Sequence, residues 1–229
     1  MTWADLPFRR LTDPFDLTSR HLIPAITTLT LCRNRKRGTA SFLLHWRDPA
    51  RVATAGGIDD VIPAGEFQPS SIVPWSQTAD LDLWRNIVRE YSEELCGQPE
   101  HDGSRGTPLR HDGWPFYRAL SRAREAGRVT AYCLGAGLDA LTLAATIPTV
   151  VVIDDSAFDE IFGDVVEVNV EVNAEGITVR SLPDQRSATG IPFTQANVDR
   201  LLTAEPIAPP GAAYLELAWQ HRDRLLDLG

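Results

Sequence analysis

The sequence predicts a mixed α/β fold, a β-sheet of mixed strand direction covered by helices, and three observations carry that expectation. Runs rich in β-branched residues come first, a helical period follows, and further strands and helices close the chain. That order lacks the regular alternation of strand and helix that builds a doubly wound parallel sheet. A length of 229 residues suits one globular domain with a sizeable core, so a single domain over 1–229 is expected.

The elements follow from local pattern. Ile23 to Cys32, "IPAITTLTLC", and Thr39 to Trp46, "TASFLLHW", read as a β-hairpin around the basic run "RNRKRG", Arg33 to Gly38, taken as a solvated turn. Val52 to Ala55 and Val61 to Ile62 read as short strands leading into an irregular loop. In "DLDLWRNIVREYSEEL" the residues Trp84, Ile87, Val88, Tyr91 and Leu95 recur at three and four, with Asp80 or Asp82 at the positive end of a helix. Gly97 to Gly113 has no period and reads as part of an insertion over about 98–126, from which the helix "PFYRALSRAREAG" leads out. Strands are expected in "RVTAYCLGAG", "LTLAATIPTVVVID", the alternating "VVEVNVEV" and "GITVRSL", with a short acidic helix "SAFDEIF" between the second and third. Two helices close the chain, one from Thr194 and a long one after Pro209 and Pro210 that could serve a homodimer.

Composition excludes some partners. With 22 basic against 31 acidic side chains and a formal charge of -9, the chain advertises no basic face for nucleic acid. No apolar run approaches the roughly 20 residues that span a bilayer, so no membrane segment is expected. The start "MTWADLPFRR" does not have the form of a secretory signal. Cys32, Cys96 and Cys133 are odd in number, far apart and without CxxC spacing, as expected of reduced thiols in the cytoplasm.

The chemistry concentrates in "NIVREYSEELCG", Asn86 to Gly97. On an α-helix Glu90, Glu93 and Glu94 share an arc about 100° wide that differs from the apolar stripe. Like charges at this spacing cost about 0.2–0.5 kcal/mol per pair, a penalty that a divalent cation would reverse. A solvated helix with an Arg89–Glu93 surface pair accounts for the same residues without a ligand.

On these residues the chain resembles the Nudix family, whose signature helix reads arginine, glutamate, apolar, any, glutamate, glutamate, any, glycine, apolar; Arg89, Glu90, Tyr91, Ser92, Glu93 and Glu94 match the first six positions. "IPAGEFQP", Ile62 to Pro69, looks like the family's proline-alanine-glycine loop, and "IPFTQANVDRLL" resembles its closing helix. The resemblance implies a Nudix-like α/β/α sandwich. It implies that Glu90, Glu93 and Glu94 ligate Mg2+ or Mn2+ with the Gly65 carbonyl, that Arg89 orients the glutamates, and that Glu94 takes a proton from the attacking water. The implied substrate is a small phosphorylated metabolite or nucleotide: a nucleoside diphosphate linked to another moiety, or a related phosphoanhydride. Trp75, in the loop, is the candidate for stacking on it. The chain departs from the motif at Leu81, where the family has a glutamate, at Cys96, where it has glycine, and in the longer stretch "EFQPSSIVPWSQTAD". It is also similar to Nudix-like domains joined to helix-turn-helix regulators in some bacteria, so a non-catalytic ligand sensor stands as an alternative.

A third reading uses Gly135 and Gly137, which follow a strand, with Asp154 nineteen positions after Gly135, as in a dinucleotide-binding fingerprint of an NAD-binding oxidoreductase. Against it, the same glycines suit a turn or bulge in a mixed sheet. The two "HDG" copies, His101-Asp102 and His111-Asp112, suit turn chemistry better than metal binding, and Trp84 belongs to the apolar stripe.

Overall fold

A computed structural model describes residues 13, 15–18, 21–47, 57–99, 109–139, 143–169, 177–179 and 190–227. The spine is β1 (Ala25–Asn34), which runs parallel to β8 (Ala145–Asp154) along its length, from Ala25 opposite Thr146 to Arg33 opposite Asp154. The other edge of β1 is shared by two strands. β2 (Thr39–Phe42) pairs antiparallel with residues 31–34, and β5 (Ala64–Glu66) pairs antiparallel with residues 25–27. Between them the Thr28 N–H donates to Pro63 O at 2.8 Å and the Leu43 N–H to Thr30 O at 3.2 Å, so single backbone bonds carry β1 across the divergence. β6 (Val129–Cys133) and β7 (Gly137–Leu138) lie antiparallel on β8, and β10 (Ile191–Pro192) borders β2. A smaller sheet joins β4 (Asp59–Val61), β3 (Leu44–Arg47) and β9 (Ile177–Val179).

Both faces of the large sheet are covered, which is why β1 and β8 read as continuous apolar and threonine runs rather than as alternation. One face packs α2 (Leu83–Glu90), α3 (Pro115–Glu125) and α4 (Asp155–Asn169), burying Trp84, Ile87, Tyr91, Leu120 and Phe162 against Ile26, Val151 and Ile153. The other packs α5 (Gln195–Ala204) and α6 (Pro209–Gln220), with Leu201, Tyr214 and Leu215 on Leu29, Leu31, Val150 and Val152. The expected α/β/α sandwich with a mixed sheet is therefore the observed architecture.

Local pattern misled at several points. Val165 to Asn169, expected to begin an alternating strand, continue α4; a helix already seeded by the Phe158 and Phe162 packing propagates more cheaply than a new strand can start. The rest of that segment lies outside the described residues, as do Val52 to Ala55, His101-Asp102 and the amino-terminal ten residues. The second arm of the hairpin breaks at Leu43, so that Leu44–Arg47 joins the smaller sheet. In the basic turn, residues 35–38 are exposed but Arg33 is buried: its Nε donates to Asp154 Oδ1 at 2.9 Å and its Nη1 to Asp227 Oδ2 at 2.6 Å, and Arg35 joins Asp154 at 2.8 Å. Of the stretch read as an insertion, 100–108 lies outside the description, while α3 sends Leu120 and Ala123 into the main core. The final helix is broken at His221 into α6 and α7 (Arg222–Leu225), and the first piece spends Tyr214, Leu215 and Ala218 on the sheet.

Candidate functional site

The glutamate turn begins with α2, capped by the Asp82 side chain, which accepts from the Arg85 N–H at 2.9 Å. After Glu90 the α-helix widens into a π-turn over Tyr91–Leu95, closed by the Cys96 N–H on Tyr91 O at 3.2 Å. A wider turn advances each residue through less than 100°, so the glutamates do not keep the arc expected of an α-helix. π-turns of this kind recur at functional sites. The five apolar residues of the stripe are all buried, as expected, and Trp84 is core: its Nε1 donates to Ser121 Oγ at 3.2 Å.

The glutamates are not on a solvated face. Glu90, Glu93 and Glu94 are 8 %, 8 % and 9 % exposed, which removes the reading of a plain surface helix. Over Glu90 and Glu94 lies β5, a strand where the sequence predicts a loop. Gly65 in β5 sits under the Glu90 carboxylate so closely that a Cβ there would lie 2.7 Å from Oε1 and closer still to Cδ and Oε2. Glycine is required at 65 for this approach. Glu94 Oε2 accepts the Ala64 N–H at 3.1 Å and lies 4.0 Å from His45 Nδ1. Ladder bonds at Pro63–Thr28 and Phe67–Pro24 make Gly65–Ile26 the hydrogen-bonded pair between them, which turns the Gly65 carbonyl toward β1.

Arg89 is buried and acts as a clamp. Its guanidinium reaches Glu90 Oε1 at 3.2 Å, Gln68 O at 3.1 Å and Glu66 O at 3.5 Å. Asn86, one turn earlier, is 1 % exposed and donates to Glu66 O at 3.1 Å, with Glu90 Oε1 at 3.5 Å. Asn86 escaped the sequence reading although it lies four residues before Glu90, the spacing that stacks side chains on a helix. His45 is distant from Glu94 in sequence, and only the tertiary structure brings the two together.

Asp80 and Asp82, which flank Leu81, are both engaged in local hydrogen bonds. Asp82 caps α2, and Asp80 Oδ2 accepts from the Ser70 N–H at 3.0 Å and from its hydroxyl. Asp80 also faces His111, whose Nδ1 is 4.0 Å from Oδ1 and whose ring meets Tyr117 edge-on. Burial lowers the His111 pKa, opposed by the Asp80 charge and reinforced by Arg85 and Arg89. Trp75 lies in α1 (Pro74–Asp80), not in a loop. Among the described residues, no three His, Cys, Asp or Glu side chains stand together closely enough to hold a metal ion.

The Gly135 region does not form a dinucleotide turn. Gly137 opens β7, a short strand antiparallel to β8, where the fingerprint needs a helix, and β6 is antiparallel to β8 where it needs a parallel crossover. Gly135 takes φ +144°, the turn role that the sequence also allowed. Cys32, Cys96 and Cys133 are free thiols. No described helix is long and apolar enough to cross a membrane.

No protein-family model matches the chain. N-succinylglutamate 5-semialdehyde dehydrogenases of Yersinia pestis and Yersinia pseudotuberculosis are 27 % identical over 119 residues; the match covers 45 % of this chain and only 23 % of theirs. Among solved structures, the chain is similar to a mutT/nudix family protein from Listeria innocua, with TM-score 0.44, 14 % identity, and coverage of 92 % of this chain and 100 % of that one. It is similar to a NUDIX hydrolase from Alicyclobacillus acidocaldarius, with TM-score 0.43, 14 % identity and coverage of 86 % and 90 %. Shewanella oneidensis NrtR, solved with a 27mer DNA, gives TM-score 0.43 at 12 % identity; the match covers 88 % of this chain and 61 % of NrtR.

Proposed function

We propose that the chain is a Nudix-type hydrolase of a phosphoanhydride in a small phosphorylated metabolite or nucleotide. One observation carries the reading: three carboxylates of a single turn are drawn out of water, Glu90 and Glu94 onto the Ala64–Glu66 strand, with the Arg89 guanidinium against Glu90. Withdrawing carboxylates from water is costly unless positive charge or hydrogen bonds compensate. The donor set has the chemistry of a hard-cation site, carboxylate oxygens with backbone carbonyls close by, although its members are not gathered around one point. With their oxygens turned to one point, Glu90, Glu93 and Glu94 would hold Mg2+ or Mn2+. Such an ion would supply neutralisation of phosphate oxygens and acidify bound water. Arg89 and Asn86 hold the 66–68 backbone and Glu90 in register, and Glu94, anchored on the Ala64 N–H, would accept the proton of the attacking water.

The test is release of phosphate from a mixed panel of nucleotides and nucleoside diphosphate conjugates with magnesium, expected to disappear in Glu93→Gln and Glu94→Gln. A second reading, a sensor that binds a phosphorylated ligand without cleaving it, is favoured by the protein donors that already engage Glu90 and Glu94. Saturable binding by calorimetry with no turnover on the same panel would select it.

A further inference from the structure

On the sheet face opposite α2, a cleft of about 320 Å³ opens between α6 and the ends of β7 and β8. That volume lies at the lower end of the range for small-molecule sites. Its walls are stiff and apolar, with Pro148, Pro209, Pro210 and Leu217 among them, and among the described residues no lysine or arginine lines it. Gly135 and Gly137 expose backbone there, with nothing within 4 Å of where a Cβ would stand. The polar end is built from hydroxyls and acid: the Tyr214 hydroxyl bonds the Thr146 hydroxyl, and Asp139 joins the lining. Burial raises the Tyr214 pKa, the hydrogen bonds with Thr146 and Thr27 oppose that rise, and the charges of Asp60 and Asp139 add to it.

Among the described lining residues Asp139 is the one charged side chain, so an anion entering the cleft meets a like charge. A cationic nitrogen meets an opposite one, with Asp139 and the Tyr214 oxygen to accept its N–H groups and prolines and leucine to cover an apolar body. We propose that this cleft binds a compact organic amine, its ammonium or protonated ring nitrogen beside Asp139 and Tyr214 and its apolar part between Pro148 and Leu217. The site is separate from the glutamate turn. Thr146, Ala25 and Glu66 lie in register across β8, β1 and β5 on this face, while Gly65 faces Glu90 on the other. The proposal therefore does not depend on the hydrolase reading.

The experiment titrates tryptamine, indole and indole-3-propionate into the full chain by calorimetry and by amide NMR. Tryptamine is expected to bind about ten-fold more tightly than the carboxylate analogue, with shifts at Gly135 and Gly137, and Asp139→Asn to weaken tryptamine about five-fold while sparing indole. Leu217→Trp, which fills the cleft from α6, is expected to remove binding with the melting temperature kept. If that variant does not fold, Ala213→Leu takes its place. The proposal is overturned if the carboxylate binds as well as the amine, if Asp139→Asn leaves tryptamine affinity unchanged, or if no probe shifts those glycines at millimolar concentration.

Discussion

Gly65→Ala tests the closest approach in the molecule's candidate site. The backbone at 65 is ordinary strand, so alanine brings no conformational strain and in open space would be neutral or mildly stabilising. Here its Cβ would stand 2.7 Å from Glu90 Oε1 and nearer to two further carboxylate atoms. The carboxylate end is flexible in principle but is 8 % exposed and held by Arg89 at 3.2 Å, so it can retreat only by giving up that ion pair or by pushing α2 off β5. Overpacking of this kind costs about 1–3 kcal/mol. For a chain of this length each kcal/mol lowers the melting temperature by about 2–4 °C. Urea unfolding of wild type, Gly65→Ala, Glu90→Ala and the double variant isolates the contact: with Glu90 shortened, the Gly65→Ala cost should fall within about 0.5 kcal/mol of zero, leaving a coupling of about 1 kcal/mol or more. Equal cost in both backgrounds would refute the argument that glycine is needed at 65 to seat Glu90.

Arg89→Ala should lower stability by about 3–5 kcal/mol, because it strands a buried carboxylate and takes a donor from two carbonyls; Arg89→Lys should recover only part, since an ammonium cannot span Glu90 and Gln68 O together. A loss under 1 kcal/mol in denaturant unfolding would count against the clamp. His111 has a folded pKa below its unfolded value, so the unfolded chain binds the extra proton; the stability it contributes is present above about 6.5 and is lost as pH falls through that value toward the lower folded pKa. His111→Gln should flatten the fall in stability between about pH 7 and 5, and an unchanged slope would reject the assignment. Burial pushes the Cys96 thiol up to about 12 and raises Cys32 beyond that, whereas Cys133 is exposed. Iodoacetamide at pH 8 followed by peptide mass analysis should label Cys133 first, with Cys32 reached only after unfolding.

Much of the architecture could be read without coordinates because it rests on short-range pattern. The β-branched runs that became β1 and β8 and the three-four spacing of Trp84, Ile87, Val88 and Tyr91 each announce one element through burial of one kind of surface. The local rule failed where a neighbour outbid it, as when α4 ran on through Val165 and Val166, or when Leu44 left one sheet for the other.

The candidate site divides in the same way. By itself the sequence determined which side chains carry the acid and the arginine, since charge and spacing are written in residues 89–94. Only the tertiary structure decided that those carboxylates are buried, that α2 widens into a π-turn after Glu90, and that the partners of the turn are Gly65, Ala64, His45 and Asn86. Burial and pairing arise when β5 closes against α2, residues about thirty positions apart in the case of Ala64 and Glu94. Such contacts depend on how β1 shares its edge between β2 and β5, and a linear spacing does not encode that division.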